Sequence, residues 1–155
     1  MTPLKTAAAA CFAVFALSAA PAFAGECPVD QVAANALENA PTAPSNVTDD
    51  VIASIDLGDR YNIPGRNLRM RRLVVQPGGV VPLHSHGERP ANIYVVSGQV
   101  TEYRSTCAVG VNHREGDVVA EQGEVSHWWR NNTRRPAVLI SADIPPPAGS
   151  AQGGM

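Results

Sequence analysis

The sequence predicts an all-β domain, a sandwich or closed barrel, on three observations. Short runs rich in β-branched residues recur from Val51 to Asp143. Turn dipeptides fall between them at regular spacing, and no run is long enough for a core helix. The runs are Val51 to Leu57, Leu68 to Gln76, Val80 to His86, Asn92 to Ser97, Gln99 to Arg104, Asp117 to Glu121, Val125 to Arg130 and Ala137 to Asp143. The breaks are Pro64-Gly65, Pro77-Gly78-Gly79, Ser97-Gly98, Glu115-Gly116-Asp117 and Asn131-Asn132.

The 155 residues, 45% of them hydrophobic, suit one such domain rather than two. Twelve basic and 14 acidic residues leave a net charge of −2 with no basic block. That balance predicts neither a nucleic-acid partner nor a membrane-surface one.

Residues 1–24 differ from the rest. Lys5 precedes an uncharged apolar run, Thr6 to Ala20, and Ala22-Phe23-Ala24 forms a small-x-small end. This is the pattern of a secretory signal cut after Ala24, so the mature protein is expected in the periplasm or outside the cell, free of the membrane. The run is Ala-rich, short for a membrane span and interrupted by Pro21. Beyond the cut, Cys27 and Cys107 remain, in a compartment where a disulfide persists, and the pair is a candidate bridge. The alternative is two thiols too far apart to bond.

Within 25–50, Val29, Val32, Ala33, Ala36 and Leu37 have helix-like spacing behind Asp30, which predicts a short N-terminal helix followed by a proline-broken linker. The barrel is expected over 51–145. The segment 146–155, following Pro145 and rich in Pro, Gly and Ala, is expected to be a disordered tail.

Chemistry concentrates in Val80-Val81-Pro82-Leu83-His84-Ser85-His86. Two imidazoles two residues apart on an extended segment project from one face, as a clamp for one ion. His127 lies on a later strand that a barrel could bring alongside. Three neutral imidazoles suit a divalent transition metal (iron, copper, nickel, manganese or zinc) and leave positions open for water, dioxygen or substrate. His113, in the turn-like stretch Asn112-His113-Arg114, reads as an ordinary hydrogen-bonded residue.

Gly78, His84, His86 and Gly98 match the first motif of the cupin family, and Gly116, His127 and Asn131 match the second; together with the strand pattern, the chain resembles a single-domain cupin. The resemblance implies a double-stranded β-helix, or jelly-roll barrel, with a metal held inside by the motif histidines. It also implies pairing of two copies, with Tyr94 facing a partner. Two departures matter. Ala91 stands where the family carries a glutamate ligand, and Gln122 and Glu124 stand where it has proline and glycine.

The missing glutamate leaves three outcomes open: a three-histidine centre as in some cupin-type dioxygenases, a shifted carboxylate, or a barrel without metal. Glu88 is the candidate for the shift, since His84, His86 and Glu88 alternate along one strand; otherwise it is an exposed loop carboxylate. Glu121 and Glu124, near the second motif, are read as exposed, the alternative being a general base if one reaches the cavity. Alternation from His127 points Trp129 and Asn131 inward, as pocket walls or ordinary core, with Gln122 nearby. Arg71, Arg72 and Arg89 are candidates to assist an anion, set against a solvated outer-face role. An ion held by three neutral ligands keeps its full charge, which favours a small anionic or oxygen-rich molecule. The expectation is therefore a metal-dependent, dioxygenase-like oxidoreductase. The alternative is a non-catalytic cupin of the cell envelope that binds a small molecule or metal.

Overall fold

The computed structural model describes residues 26–34 and 36–149, so the expected signal over 1–24 lies outside the described residues, as do 150–155 of the expected tail. Six strands carry the fold: β1 (Ser45–Asp56), β2 (Asn67–Ser97), β3 (Gln99–Arg104), β4 (Val111–Arg114), β5 (Val118–Arg130) and β6 (Ala137–Asp143). The jelly-roll expectation holds. Three of the expected runs are one continuous strand, β2, and two more are β5. β1 starts at Ser45, ahead of the expected boundary at Val51.

β2 folds around so that both of its arms pair antiparallel with β6. Arg69 to Val75 run along one edge of β6, and Ala91 to Ser97 along the other. The middle and far part of β2 also pair with β5, from Val80↔Arg130 to Tyr94↔Val118, with register shifts where the ladder bends. β5 in turn pairs β3, and β3 pairs β4. Alternation sends Leu73, Val75, Ile93, Val95, Val100, Val119, Trp129 and Leu139 into one core. Gly98 closes the turn from β2 to β3 at φ 81°, and a Cβ there would come within 2.7 Å of the Pro136 carbonyl oxygen. Only glycine satisfies both conditions.

The N-terminal segment corrects the sequence expectation: the short helix is a single 3-10 turn, Val29–Gln31. Its apolar stripe buries little: Val29 is 94% and Val32 67% exposed, while Ala33 and Leu37 are half-buried. The backbone instead bonds to the loop after β3, through Ala33 N–H to Thr106 O, Ala36 N–H to Ser105 O and Ala108 N–H to Gln31 O. Cys27 and Cys107 are bonded beside these contacts, with Cα atoms 5.7 Å apart. A helix would withdraw those groups from the loop.

At the other end, Pro146, at the start of the expected disordered tail, is buried. The preceding Ile144 donates its N–H to the Pro90 carbonyl, 3.1 Å away. Arg66 Nη1 donates to the carbonyls of Ile144 and Pro145.

Candidate metal centre

His84 and His127 are directly opposed across β2 and β5, and His86 follows two residues along β2. The three ring centroids are 4.5 to 5.0 Å apart. Glu121 completes the group: one donor atom from each of His84, His86, Glu121 and His127 lies within 4.8 Å of the others. His86, Glu121 and His127 are buried.

Each ring is held by its Nδ1. His84 Nδ1–H donates to the Pro82 carbonyl (2.8 Å), and His86 Nδ1–H to the Arg89 carbonyl (2.7 Å). His127 Nδ1–H donates to Glu102 Oε1 (2.5 Å). Carbonyl and carboxylate oxygens only accept, so in the neutral ring the proton sits on Nδ1 and the Nε2 lone pair is free. His86 Nε2, His127 Nε2 and Glu121 Oε1 are buried without a hydrogen bond. His86 Nε2 nevertheless lies 2.9 Å from Glu121 Oε2, and His127 Nε2 lies 3.6 Å from Oε1. Acceptors facing acceptors in a buried spot with no donor between them are costly unless a cation joins them. The donor set, three imidazoles and one carboxylate, fits a divalent transition metal.

Behind His127 lies a second layer. Glu102 is buried, and besides His127 it accepts from His113 Nε2–H (2.8 Å) and pairs with Arg104 Nη2 (2.7 Å). Burial opposes its ionisation, but the hydrogen bonds from His113, His127 and Arg104 together win and hold it well below the usual carboxylate range. At His84, burial and then the neighbouring His127 push the imidazole down to about 3, against the Pro82 carbonyl. That ring stays a neutral donor at ordinary pH.

Several sequence readings change here. Glu121, read as exposed, faces inward with Val119, and it is the cross-strand partner of Ala91. Glu88 does not join the cluster. The ladder shifts register between His86 and Ala91, the Arg89 carbonyl turns back to His86, and Glu88 is left exposed. Its own carbonyl accepts from Arg66. His113, placed in a turn, is fully buried on β4 against Trp129, ring centroids 4.8 Å apart. Arg71 and Arg89 are buried and Arg72 is exposed.

Trp129 is buried and meets His127 edge-on. Asn131 is buried too, but its amide serves a turn: Nδ2 donates to the carbonyls of Val75 and Arg135, and Oδ1 accepts from Thr133 N–H. Two hollows adjoin the cluster. One of about 70 Å³ is lined by His86, Glu102, Arg104, Glu121, His127 and the exposed Gln122, together with Ala120 and Val125. The other, about 30 Å³, is bounded by His84 and Glu121 on the apolar side of the barrel.

Known proteins agree with this geometry at the level of fold. Residues 71–143 match the family described as "Cupin domain", and the barrel of this chain is a cupin domain. A predicted oxalate decarboxylase from Thermotoga maritima superposes with a TM-score of 0.52 at 17% identity, covering 68% of this chain and 93% of that one. A conserved protein with a double-stranded β-helix domain from Klebsiella pneumoniae gives 0.53 at 16% identity, covering 74% and 91%. At these identities the likeness is one of fold. No curated protein matches the sequence.

Proposed function

We propose that this chain is an exported metalloprotein that holds one divalent transition metal through His84, His86, His127 and Glu121 and acts on a small oxygen-rich or anionic molecule. The observation that carries the reading is the set of buried acceptors, His86 Nε2, His127 Nε2 and Glu121 Oε1, that converge with no donor among them. With Glu121 in the set, a divalent ion keeps one net positive charge rather than two. When bound, such an ion supplies Lewis-acid polarisation of a substrate oxygen and, in the case of iron or copper, access to dioxygen chemistry. Glu102 holds the His127 ring with Nε2 presented to the site, and Trp129 meets that ring edge-on and lines the adjoining hollow.

Export is supported by the residues of 1–24 and by the Cys27–Cys107 bond, which needs an oxidising compartment to persist. Pairing of two copies is supported by an outward sheet face carrying Met70, Tyr94, Val96 and Val118, with Tyr94 45% and Val118 56% exposed. Light scattering that returned the mass of one chain would remove the dimer.

The test of the metal centre is elemental mass spectrometry on protein purified without chelators or an affinity tag, beside His84→Ala. Near-stoichiometric metal that is lost in the variant supports the reading; no metal, even after anaerobic reloading, ends it. The small hollows beside the cluster favour a second reading, non-catalytic binding. Oxygen uptake with candidate substrates supports the enzyme, and stoichiometric binding without consumption supports the binder.

A further inference from the structure

The 30 Å³ hollow that touches His84 and Glu121 has two more polar residues in its wall, Arg71 and Ser141; the remainder is apolar, including Ile93 and Trp129. Strand register explains why they meet there. Arg71 of β2 is paired with Ser141 of β6, and Ser141 with Ile93 on the other arm of β2. All three face inward. One row further along, Asp143, Ala91 and Glu121 are linked in the same way.

Arg71 enters the wall of a mainly apolar hollow with two carboxylates beside it, and part of its guanidinium is still unsatisfied. Asp143 takes two hydrogen bonds from Arg69, at 3.0 and 2.8 Å, and also lies 3.4 Å from Arg71 Nε and 4.0 Å from Arg89 Nε. Asp49 pairs with Arg71 Nη1. Arg69 and Arg71 thus share the carboxylates of Asp49 and Asp143, with Arg89 Nε 4.0 Å from the latter. Arg71 Nε is buried without a hydrogen bond, and Ser141 Oγ lies 3.4 Å from Nη2.

We propose that Arg71 and Ser141 form a carboxylate-binding subsite, and that the molecule taken by this protein is a short organic acid. Its carboxylate lies on Arg71, while a second oxygen reaches the cluster of His84 and Glu121. The placement of the second oxygen rests on the metal reading above; the carboxylate subsite does not. Size sets the class. A hollow of about 30 Å³ has room for roughly two waters, the footprint of one carboxylate group rather than a sugar or an aromatic ring. Arginine's planar fork suits a carboxylate, and low-dielectric walls strengthen the contact.

The experiment is calorimetric titration of acetate and malonate into the metal-free and zinc-loaded protein, with acetamide and catechol as comparisons. Both acids are expected to bind, malonate more tightly in the zinc form, while acetamide and catechol do not. Arg71→Met is expected to weaken malonate binding by roughly tenfold or more at unchanged zinc content, and the exposed neighbour Arg72→Met to leave it unchanged. A folded Arg71→Met that binds malonate like the parent, or acetamide binding as well as acetate, overturns the proposal. If Arg71→Met does not fold, Arg71→Lys and Ser141→Ala decide, and unchanged affinity in both overturns it. Should zinc fail to bind at all, the metal reading falls. In that case, acetate binding to the metal-free protein that depends on Arg71 still upholds the subsite, and its absence refutes it.

Discussion

Ala91 on β2 and Glu121 on β5 are cross-strand partners, and both turn their side chains into the barrel. The cupin motif would place a carboxylate at 91; here the facing strand brings the Glu121 carboxylate to the histidine cluster. Glu121→Gln is expected to lower metal affinity by more than the roughly 10- to 100-fold that loss of an outer partner costs. The double change Ala91→Glu with Glu121→Ala is expected to recover most of that loss. Metal competition with a chromophoric chelator measures both. Equal affinity of Glu121→Gln and the parent would exclude Glu121 as a ligand.

Glu102 makes a different prediction, because it touches His127 and not the converging donor atoms. Glu102→Ala leaves the half-buried Arg104 and the buried His113 and His127 donors without their acceptor. The metal-free protein should lose about 3 kcal/mol in urea denaturation. Glu102→Gln, which preserves size, should weaken metal binding about 10- to 100-fold with a smaller stability loss.

Acid should destabilise the metal-free protein in two windows. The His84 imidazole is near 6.5 when unfolded and about 3 when folded, so between those values the unfolded chain binds the extra proton and stability is lost as pH is lowered. The slope from this one group approaches about 1.4 kcal/mol per pH unit. Glu102 is depressed in the fold, so its contribution is complete above the usual carboxylate range and is lost only as pH falls below it. Thermal denaturation at pH 7, 5.5 and 4 should show the loss, and His84→Gln should flatten the upper window. An unchanged profile in that variant would assign the slope elsewhere.

The Cys27–Cys107 bond spans 80 residues. Removing it through Cys27→Ser is expected to cost about 4 kcal/mol in the chain-entropy model. Because 26–34 is tied to the loop after β3 by few backbone bonds, reduction should also expose that segment to proteolysis before the barrel. Limited digestion with and without reductant tests this.

The strands and the histidines were legible because both are local signals. Alternation identifies strands, and His84 and His86 share a face wherever their strand pairs. Glu121 was harder. It reads as exposed, because its facing depends on the register of β5 against β2, which sets it opposite Ala91, and register is a tertiary property. Glu88 misled for the converse reason, since the same alternation breaks at an irregularity that the sequence does not announce. The N-terminal helix failed because tertiary bonds to residues 105–108 outweighed a weak local preference.

β6 lies between the two arms of β2 and is the last strand made. Until 137–143 have emerged, neither arm of β2 has that neighbour, and most of the barrel's pairings wait on contacts distant in sequence. The chain therefore carries its histidines unassembled through most of its synthesis. On the metal reading proposed above, capture of an ion is coupled to closure of the barrel, and the compartment in which folding finishes then decides which metals compete for the site.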